Sequence, residues 1–520
     1  MRKIVIIGAG PAGLTAGYEL LKARGDFEIV ILEESGRFGG ISGTIEHHGN
    51  RMDIGGHRFF TRDSRINALW HHLMPGQGAP ASDDKKTGRK VRLTPGGVDP
   101  DQQDLVMLSR RRVSRIYYRR HFFDYPVRLG KRLIAGLGFF TLLAVGLSYL
   151  RAAIFPRREN SLEDFYINRF GKKLYSLFFE QYTAKLWGKH PRNISADWGA
   201  QRVKGLSSFS VGCDMLFNAL GLKKSRRVET SLINEFEYPK FGPGQLWETM
   251  AGEIERMGGR IIKNCRATRI VTSDKSVRQV ECDDGRIFET DILISSMPLK
   301  DLVAGMNDVP EDVARIAAGL EYRDFLTIGV LLDRLAVSNQ TELTTVNNII
   351  PDCWIYVQDA GVDLGRIQIF NNWSPYLVKD PEHSVWVGLE YFCREGDGIW
   401  SMSDGEVVDK GVAELLKIGI LSPDCRVLDF HVERVRKAYP GYFGTYSELG
   451  RVIDHFSEIG NLYCIGRNGQ HRYNNMDHSM ATAMAAVRNI LNNGYADKSA
   501  IWSVNTDKEF NEEIKSGEDK

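Results

Sequence analysis

Two apolar runs joined by a glycine turn, KIVIIGAGPAGLTAGYELL at residues 3–21 and FEIVILEE at residues 27–34, constrain the fold of this chain more than any other feature. Ile4 to Ile7 reads as a strand buried on both faces. Gly8, Gly10 and Gly13, with Pro11 and Ala12 among them, form a turn, and Leu14, Leu20 and Leu21 then take the apolar positions of a helix. Glycines at such a turn allow tight curvature and close approach of the backbone to a pyrophosphate, whose charge is met by amides at the helix N-terminus. The second strand ends at Glu33 and Glu34, and Glu33 lies 20 residues beyond Gly13, where a carboxylate can accept hydrogen bonds from a ribose. A lone GxGxxG is weak evidence. Strand, glycines, helix, strand and acid in that order predict a Rossmann-type nucleotide-binding domain. The first apolar run is too short, and too soon interrupted by glycine, to read as a secretory signal.

NAD and FAD share this fingerprint, and the residues after Glu34 separate them. SGRFGGISGT supplies Arg37, Gly39, Gly40 and Ser42, a second glycine-rich, cationic loop that can close over the same pyrophosphate. This RxGG segment resembles that of the FAD-dependent amine oxidase and protoporphyrinogen oxidase superfamily, in which FAD stays bound. DIGGHRFF, residues 53–60, continues the likeness. The resemblance implies that Gly55 and Gly56 let the backbone approach the flavin ring, with His57 beside it; the plain alternative for His57 is a hydrogen-bonded core histidine.

With 520 residues, 42% of them hydrophobic, the chain can build two to four domains around a large core. A net charge of +2 from 68 basic and 66 acidic residues argues against nucleic acid as a partner, so any anion site must be local. The seven cysteines stand far apart with no CxxC pair and no His-rich spacing, which predicts reduced thiols in the cytosol and no metal centre.

Residues 76–112 are polar and rich in proline and glycine, and read as a mobile excursion. RIYYRRHFFDYP suggests a hairpin that gathers Tyr117, Phe123 and Tyr125. LIAGLGFFTLLAVGLSYL, residues 133–150, has 18 residues without a charge, preceded by Lys131 and Arg132 and followed by Arg151, Arg157 and Arg158. A spanning helix would put the polar chain before it on the far side of the membrane from the rest. A helix seated on the inner membrane surface with cations meeting headgroups is the favoured reading, ahead of a buried or oligomer-interface helix.

The order of strand and helix signals predicts an α/β chain: a discontinuous Rossmann-type FAD-binding domain with an inserted helical and antiparallel-sheet substrate domain. Residues 1–75, 236–304 and 436–497 supply the FAD domain. Residues 76–235 form a mostly helical, membrane-proximal insertion, 305–435 a substrate-binding sheet, and 498–520 a polar tail.

Between residues 161 and 480 the chain resembles the UDP-galactopyranose mutases, most closely the eukaryotic type. KLWGKHPRNISADWGAQR is similar to the segment in which a tryptophan and an arginine face the substrate diphosphate, positions held here by Trp187 and Arg202. RIQIFNNWSPY carries Arg366 at the place of a second diphosphate arginine, KAYPGYF carries Tyr439, and GRNGQHRYNN carries Tyr473 and Asn475 at the same pocket. The chain departs from the family pattern at Trp373, where a tyrosine is expected, at Thr183 in place of asparagine, and at Arg128 in place of glutamine beside Tyr125, which matches a uridine-pocket aromatic.

The resemblance implies interconversion of pyranose and furanose forms of a nucleotide-linked sugar through an N5 adduct of reduced FAD, with His57, Arg202 and Arg366 closest to the chemistry. The uncharged run raises a lipid-linked sugar as an alternative substrate. An oxidase, dehydrogenase or desaturase of the amine oxidase superfamily is the competing activity, and a membrane-docked flavoprotein without catalysis a third reading. Near the C-terminus NLYCIGR reads as the last strand of the FAD domain, and Gly466 and Arg467 as its turn toward the flavin. Met476, Asp477 and Ser479 open a small-residue helix whose positive end favours the cofactor.

Overall fold

The computed structural model describes residues 1–125, 136–196, 231–232, 235–492, 497–504 and 513–514. Its centre is a five-stranded parallel sheet in the order Arg260–Ile262, Phe27–Leu32, Arg2–Ile7, Ile292–Ser295, Leu462–Cys464. Three distant stretches of sequence therefore build one sheet. Side chains alternate between its faces. Ile4, Ile6, Ile29 and Ile31 enter a core with Leu14, Trp247 and Met480 from the helices Pro11–Lys22, Pro243–Arg256 and Met476–Leu491. Val5, Ile7, Val30 and Leu32 face the opposite way, against Val277 and Val280 of a three-stranded antiparallel meander and Leu302 of the helix Leu299–Gly305. Burial on both faces explains why these strands are unbroken runs of Ile, Val and Leu.

The second body is a seven-stranded sheet in the order Val427–Gly444, Leu320–Leu332, Val385–Cys393, Arg366–Ile369, Trp354–Val357, Ser114–Tyr118, His121–Asp124. Every pairing is antiparallel except that of Trp354–Val357 with Ser114–Tyr118. The hairpin expected around residues 114–125 forms, turning at Arg119 and Arg120 with φ of 50° and 62°. It belongs to this sheet, although the domain division placed it in the mostly helical insertion. The boundary drawn at residue 435 falls inside the strand Val427–Gly444, because long-range pairing with Leu320–Leu332 holds that strand together whatever its local composition.

Residues 76–112 are also more ordered than their composition suggests. The strand Met107–Arg111 pairs with Glu235–Pro239, and Arg110, 1% exposed, donates to the Asp83 carboxylate at 3.1 and 2.7 Å. Charged residues packed as ion pairs form the centre of this segment, which hydropathy reads as surface. A second buried pair locks the parallel joint of the large sheet: Arg115 Nε donates to both Asp352 oxygens at 2.9 and 3.1 Å, with Asp352 fully buried.

Removing one partner of such a pair leaves a buried charge uncompensated, at a cost of about 3–5 kcal/mol. Asp352→Ala is expected to lower stability by about that amount in denaturant unfolding of the full chain, and a loss below about 1 kcal/mol would contradict the assignment.

Candidate functional site

A cavity of about 1630 Å³ lies where the C-terminal ends of the parallel strands meet one face of the large sheet. Single ligand sites commonly enclose about 300–1,000 Å³, so this one has room for a dinucleotide and a second molecule.

The strand-end half is built from backbone. Gly8 sits at φ 99°, and a Cβ on Gly13 would lie 1.9 Å from the Gly8 carbonyl oxygen, so the helix Pro11–Lys22 can leave the strand only with glycine at both positions. Gly10 is the N-cap and uses no side chain to satisfy the first amides of that helix. Gly10, Pro11, Ala12, Glu34, Arg37, Gly40 and Ser42 line the cavity, while Gly13 and Gly39 support it from behind. Gly39 donates to the Ala9 carbonyl at 2.9 Å and has φ 93°, and the space its Cβ would need belongs to Trp247. Ser42 Oγ donates to the Gly39 carbonyl at 2.8 Å. Arg37 crosses from this loop to an ion pair with Glu433 on the large sheet.

Glu33 is more committed than its expected ribose contact implies. Its carboxylate accepts the Ala9 amide at 2.7 Å and the Ser35 amide and hydroxyl at 2.9 and 2.7 Å, and it is 7% exposed at the cavity wall. From the C-terminal stretch, Gly466, Arg467, Asn475, Met476 and Ser479 reach the cavity. The Gly466 amide donates to Thr482 Oγ1 at 2.9 Å, which ties the last strand to the helix Met476–Leu491. Asp477 faces a separate, much smaller cavity beside Arg58 and Trp70.

Gly55, Gly56 and His57 form the waist between the two halves. Gly55 needs its φ of 93°, but Gly56 answers a packing demand: a Cβ there would fall 1.9 Å from the Trp354 ring. His57 Nδ1 lies 2.9 Å from the Gly55 carbonyl, so the proton sits on Nδ1 and Nε2 is left as an acceptor. Burial pushes the imidazole down to about 4, with Arg467 adding to the effect, and His57 is neutral at physiological pH.

In the second half, Arg366 is opposite Glu390 in the antiparallel ladder. Its Nη1 approaches Glu390 Oε2 at 3.3 Å and donates to Tyr439 Oη at 3.1 Å, and its Nε donates to Tyr182 Oη at 2.6 Å. Glu390 is fully buried, which raises its carboxyl above the usual range against the opposing pull of Arg366 and Gln368. Arg467 stacks on Tyr439 and Tyr473, whose rings are 8° from parallel. Tyr125 packs on Tyr356, which meets Tyr182 edge to face, and the aromatic wall continues into Tyr166, Phe170 and Phe178.

Trp187 and Trp373 do not reach the cavity. Trp187 is buried edge-on to Phe443, and the Trp373 indole donates to the Cys353 carbonyl at 2.8 Å inside the core. Arg202 and Arg128 lie outside the described residues. Tyr182, Tyr356 and Glu390 were not singled out from sequence. Glu390 carried a readable signal as the lone charge in the strand VWVGLEYFC.

The model for flavin-containing amine oxidoreductases matches residues 11–491. The chain belongs to that family. Family membership brings a flavin, and the side-chain-free cradle of Gly8, Gly10 and Gly40 beneath an uncapped helix N-terminus suits a pyrophosphate. Among solved structures, a reduced UDP-galactopyranose mutase is similar at TM-score 0.74 with 19% identity, covering 96% of each chain. A protein assigned provisionally as a protoporphyrinogen oxidase from Exiguobacterium sp. 255-15 is similar at TM-score 0.64 with 16% identity, over 94% of this chain and 98% of that one. A putrescine oxidase bound to putrescine is similar at TM-score 0.55 with 13% identity, over 94% and 99%. No curated protein matches by sequence. These similarities establish a shared fold.

Two measurements probe the site. Gly13→Ala drives a methyl group into the Gly8 carbonyl, so the variant is expected to purify without the flavin absorbance of the parent; retention of flavin would overturn the reading of this turn. In histidine-labelled protein, the NMR resonance lost in His57→Asn is expected to titrate near pH 4, and a midpoint above about 6 would contradict the neutral imidazole.

Proposed function

We propose that the strand-end half of the cavity binds FAD and that the chain is a mutase-like enzyme, interconverting pyranose and furanose forms of a nucleotide-linked or lipid-linked sugar. The observation that carries this reading is the cluster of Arg366, Tyr182, Tyr439, Tyr473 and Arg467 on the cavity wall, across the waist at His57 from the dinucleotide turn. FAD, when reduced, supplies a nucleophilic N5. Gly8, Gly10, Gly40, Arg37 and Gly466 would hold its diphosphate, and the acceptor capacity that Glu33 retains beyond Ala9 and Ser35 would take its ribose.

The chain's own task is to bind and confine an anionic leaving group. The Arg366 guanidinium has a fork geometry matched to phosphate oxygens, and the tyrosine hydroxyls add neutral donors. Glu390 orients that fork by holding Nη1, and it compensates part of the charge, which weakens ground-state binding of an anion. Neutral His57 offers an acceptor at Nε2 without adding positive charge.

The Arg366–Glu390 pair and the aromatic wall equally suit a hydride-accepting oxidoreductase with an apolar substrate, and that is the second reading.

The deciding experiment incubates dithionite-reduced protein, without oxygen, with UDP-, dTDP- and GDP-hexoses and a polyprenyl-phosphate hexose, and assays for furanose products. Formation of furanose only with reduced protein is expected. Oxygen consumption with stoichiometric substrate oxidation, and no furanose, would establish the oxidoreductase instead. Arg366→Lys keeps the charge beside Glu390 and removes the fork. It is expected to lower turnover about 100-fold, about 3 kcal/mol of transition-state stabilisation, with flavin content unchanged.

A further inference from the structure

The helix Phe139–Ile154 turns its most apolar side outward. Phe140, Leu143, Leu147, Leu150 and Ile154 recur at intervals of three and four residues, which places them on one face, and they are 84%, 52%, 61%, 43% and 67% exposed. Phe139 and Phe155 extend the stripe at its two ends. A soluble surface rarely leaves such a continuous apolar face uncovered, so it marks an interaction site.

The opposite face is firmly seated. Leu142 and Val145 pack into a cluster with Leu174 and Phe178 of the helix Leu162–Phe178. At the crossing, a Cβ on Gly171 would come within 2.7 Å of the Tyr149 amide, and the Lys173 amide donates to Ser148 Oγ at 3.0 Å. Backbone contact of this kind fixes which side faces out.

Charge beside the stripe indicates what covers it. Residues 136–158 contain three basic residues and no acid. Arg151, Arg157 and Arg158 at the C-terminal end of the helix are exposed, as are Lys172 and Lys173 on its neighbour. Of the nearest acids, Glu159 is paired with Arg169 and Asp164 with Arg157. An apolar face bordered by exposed cations suits an anionic headgroup layer over acyl chains. A second copy of the chain would bring the same cations face to face. A helix about 24 Å long and about 10 Å wide also offers a footprint on the order of 250 Å², far below the roughly 800 Å² per partner of a stable protein interface. No helix among the described residues is long and apolar enough to cross a membrane.

We propose that the exposed face of Phe139–Ile154 docks this protein on an anionic lipid bilayer. Docking brings the cavity close to the lipid, because Leu174 and Phe178, on which this helix rests, themselves line the cavity.

The test is co-sedimentation of the full-length flavin-loaded protein with phosphatidylcholine vesicles, with and without phosphatidylglycerol. Binding is expected to the anionic vesicles and to weaken with salt. A Leu143→Glu, Leu147→Glu double variant is expected to bind about ten-fold more weakly or worse, with flavin spectrum and melting temperature unchanged. If that variant fails to fold, Arg151→Glu with Lys172→Glu carries the test, as a loss confined to anionic vesicles. The proposal is overturned if the parent does not bind, or if all variants bind alike. It is equally overturned if the parent forms a dimer that the double variant dissolves while neither binds vesicles.

Discussion

The Glu33 carboxylate is the interaction on which the site depends. It stands at the end of the second parallel strand, takes the Ala9 amide from the first glycine turn, and takes the amide and hydroxyl of Ser35 from the next loop. Both loops are thereby held at the same strand ends, and the Gly39 amide closes the arrangement by donating to Ala9. A buried carboxylate with its oxygens occupied by donors resists displacement, because each unmade bond would leave a charged group desolvated and unpaired. The shape of the cavity's nucleotide half follows from that clamp.

The opposite half depends on register. In the ladder between Arg366–Ile369 and Val385–Cys393, Arg366 is set directly against Glu390. A slip of one strand by one residue would turn its side chain to the other face and separate the pair. The pair sits in the cavity wall, and it gives the pocket a fork of donors with much of its charge already balanced. The two bodies are then joined by an apolar cluster in which Met52 and Ile54 meet Phe325 and Trp386, and by polar contacts such as Arg37 with Glu433 and Asn468 Nδ2 to the Lys437 carbonyl at 3.0 Å. The substrate half and the nucleotide half are thus positioned by different elements and meet at Gly55 and His57.

The apolar helix stands apart from both halves in its chemistry but not in its packing. It adds no strand to either sheet, but it packs with Ile116 and Phe123 of the large sheet and rests on the helix whose inner residues form the aromatic wall. A rigid seat on one side and an uncovered stripe on the other make it a connection between the cavity and whatever lies outside it.

The sequence alone determined the nucleotide fold, because its signals are local and mutually reinforcing. An Ile-Val run must be buried, glycines with a helix behind them make one kind of turn, and an acid ends the next strand. It also indicated that the domain is assembled from separated pieces, and the strands ILIS and LYC do join Arg2–Ile7 in one parallel sheet. The place of the C-terminal stretch was legible for the same reason, down to Tyr473 and Asn475 at the cavity. Tertiary structure decided the rest. Glu33 and Gly56 have the residue types a cofactor site requires, yet the fold engages the first with Ala9 and Ser35 and demands the second to admit Trp354. Trp187 and Trp373 sit in motif-like surroundings but point into the core, where the Trp373 indole satisfies the Cys353 carbonyl. Glu390 became the partner of Arg366 only through strand register, and residues 76–112 are ordered by contacts with distant parts of the chain, the pairing of Met107–Arg111 with Glu235–Pro239 among them, together with the buried Arg110–Asp83 pair. These outcomes depend on which groups from distant parts of the chain compete for the same buried hydrogen bonds and the same volume, and neither is encoded in local spacing.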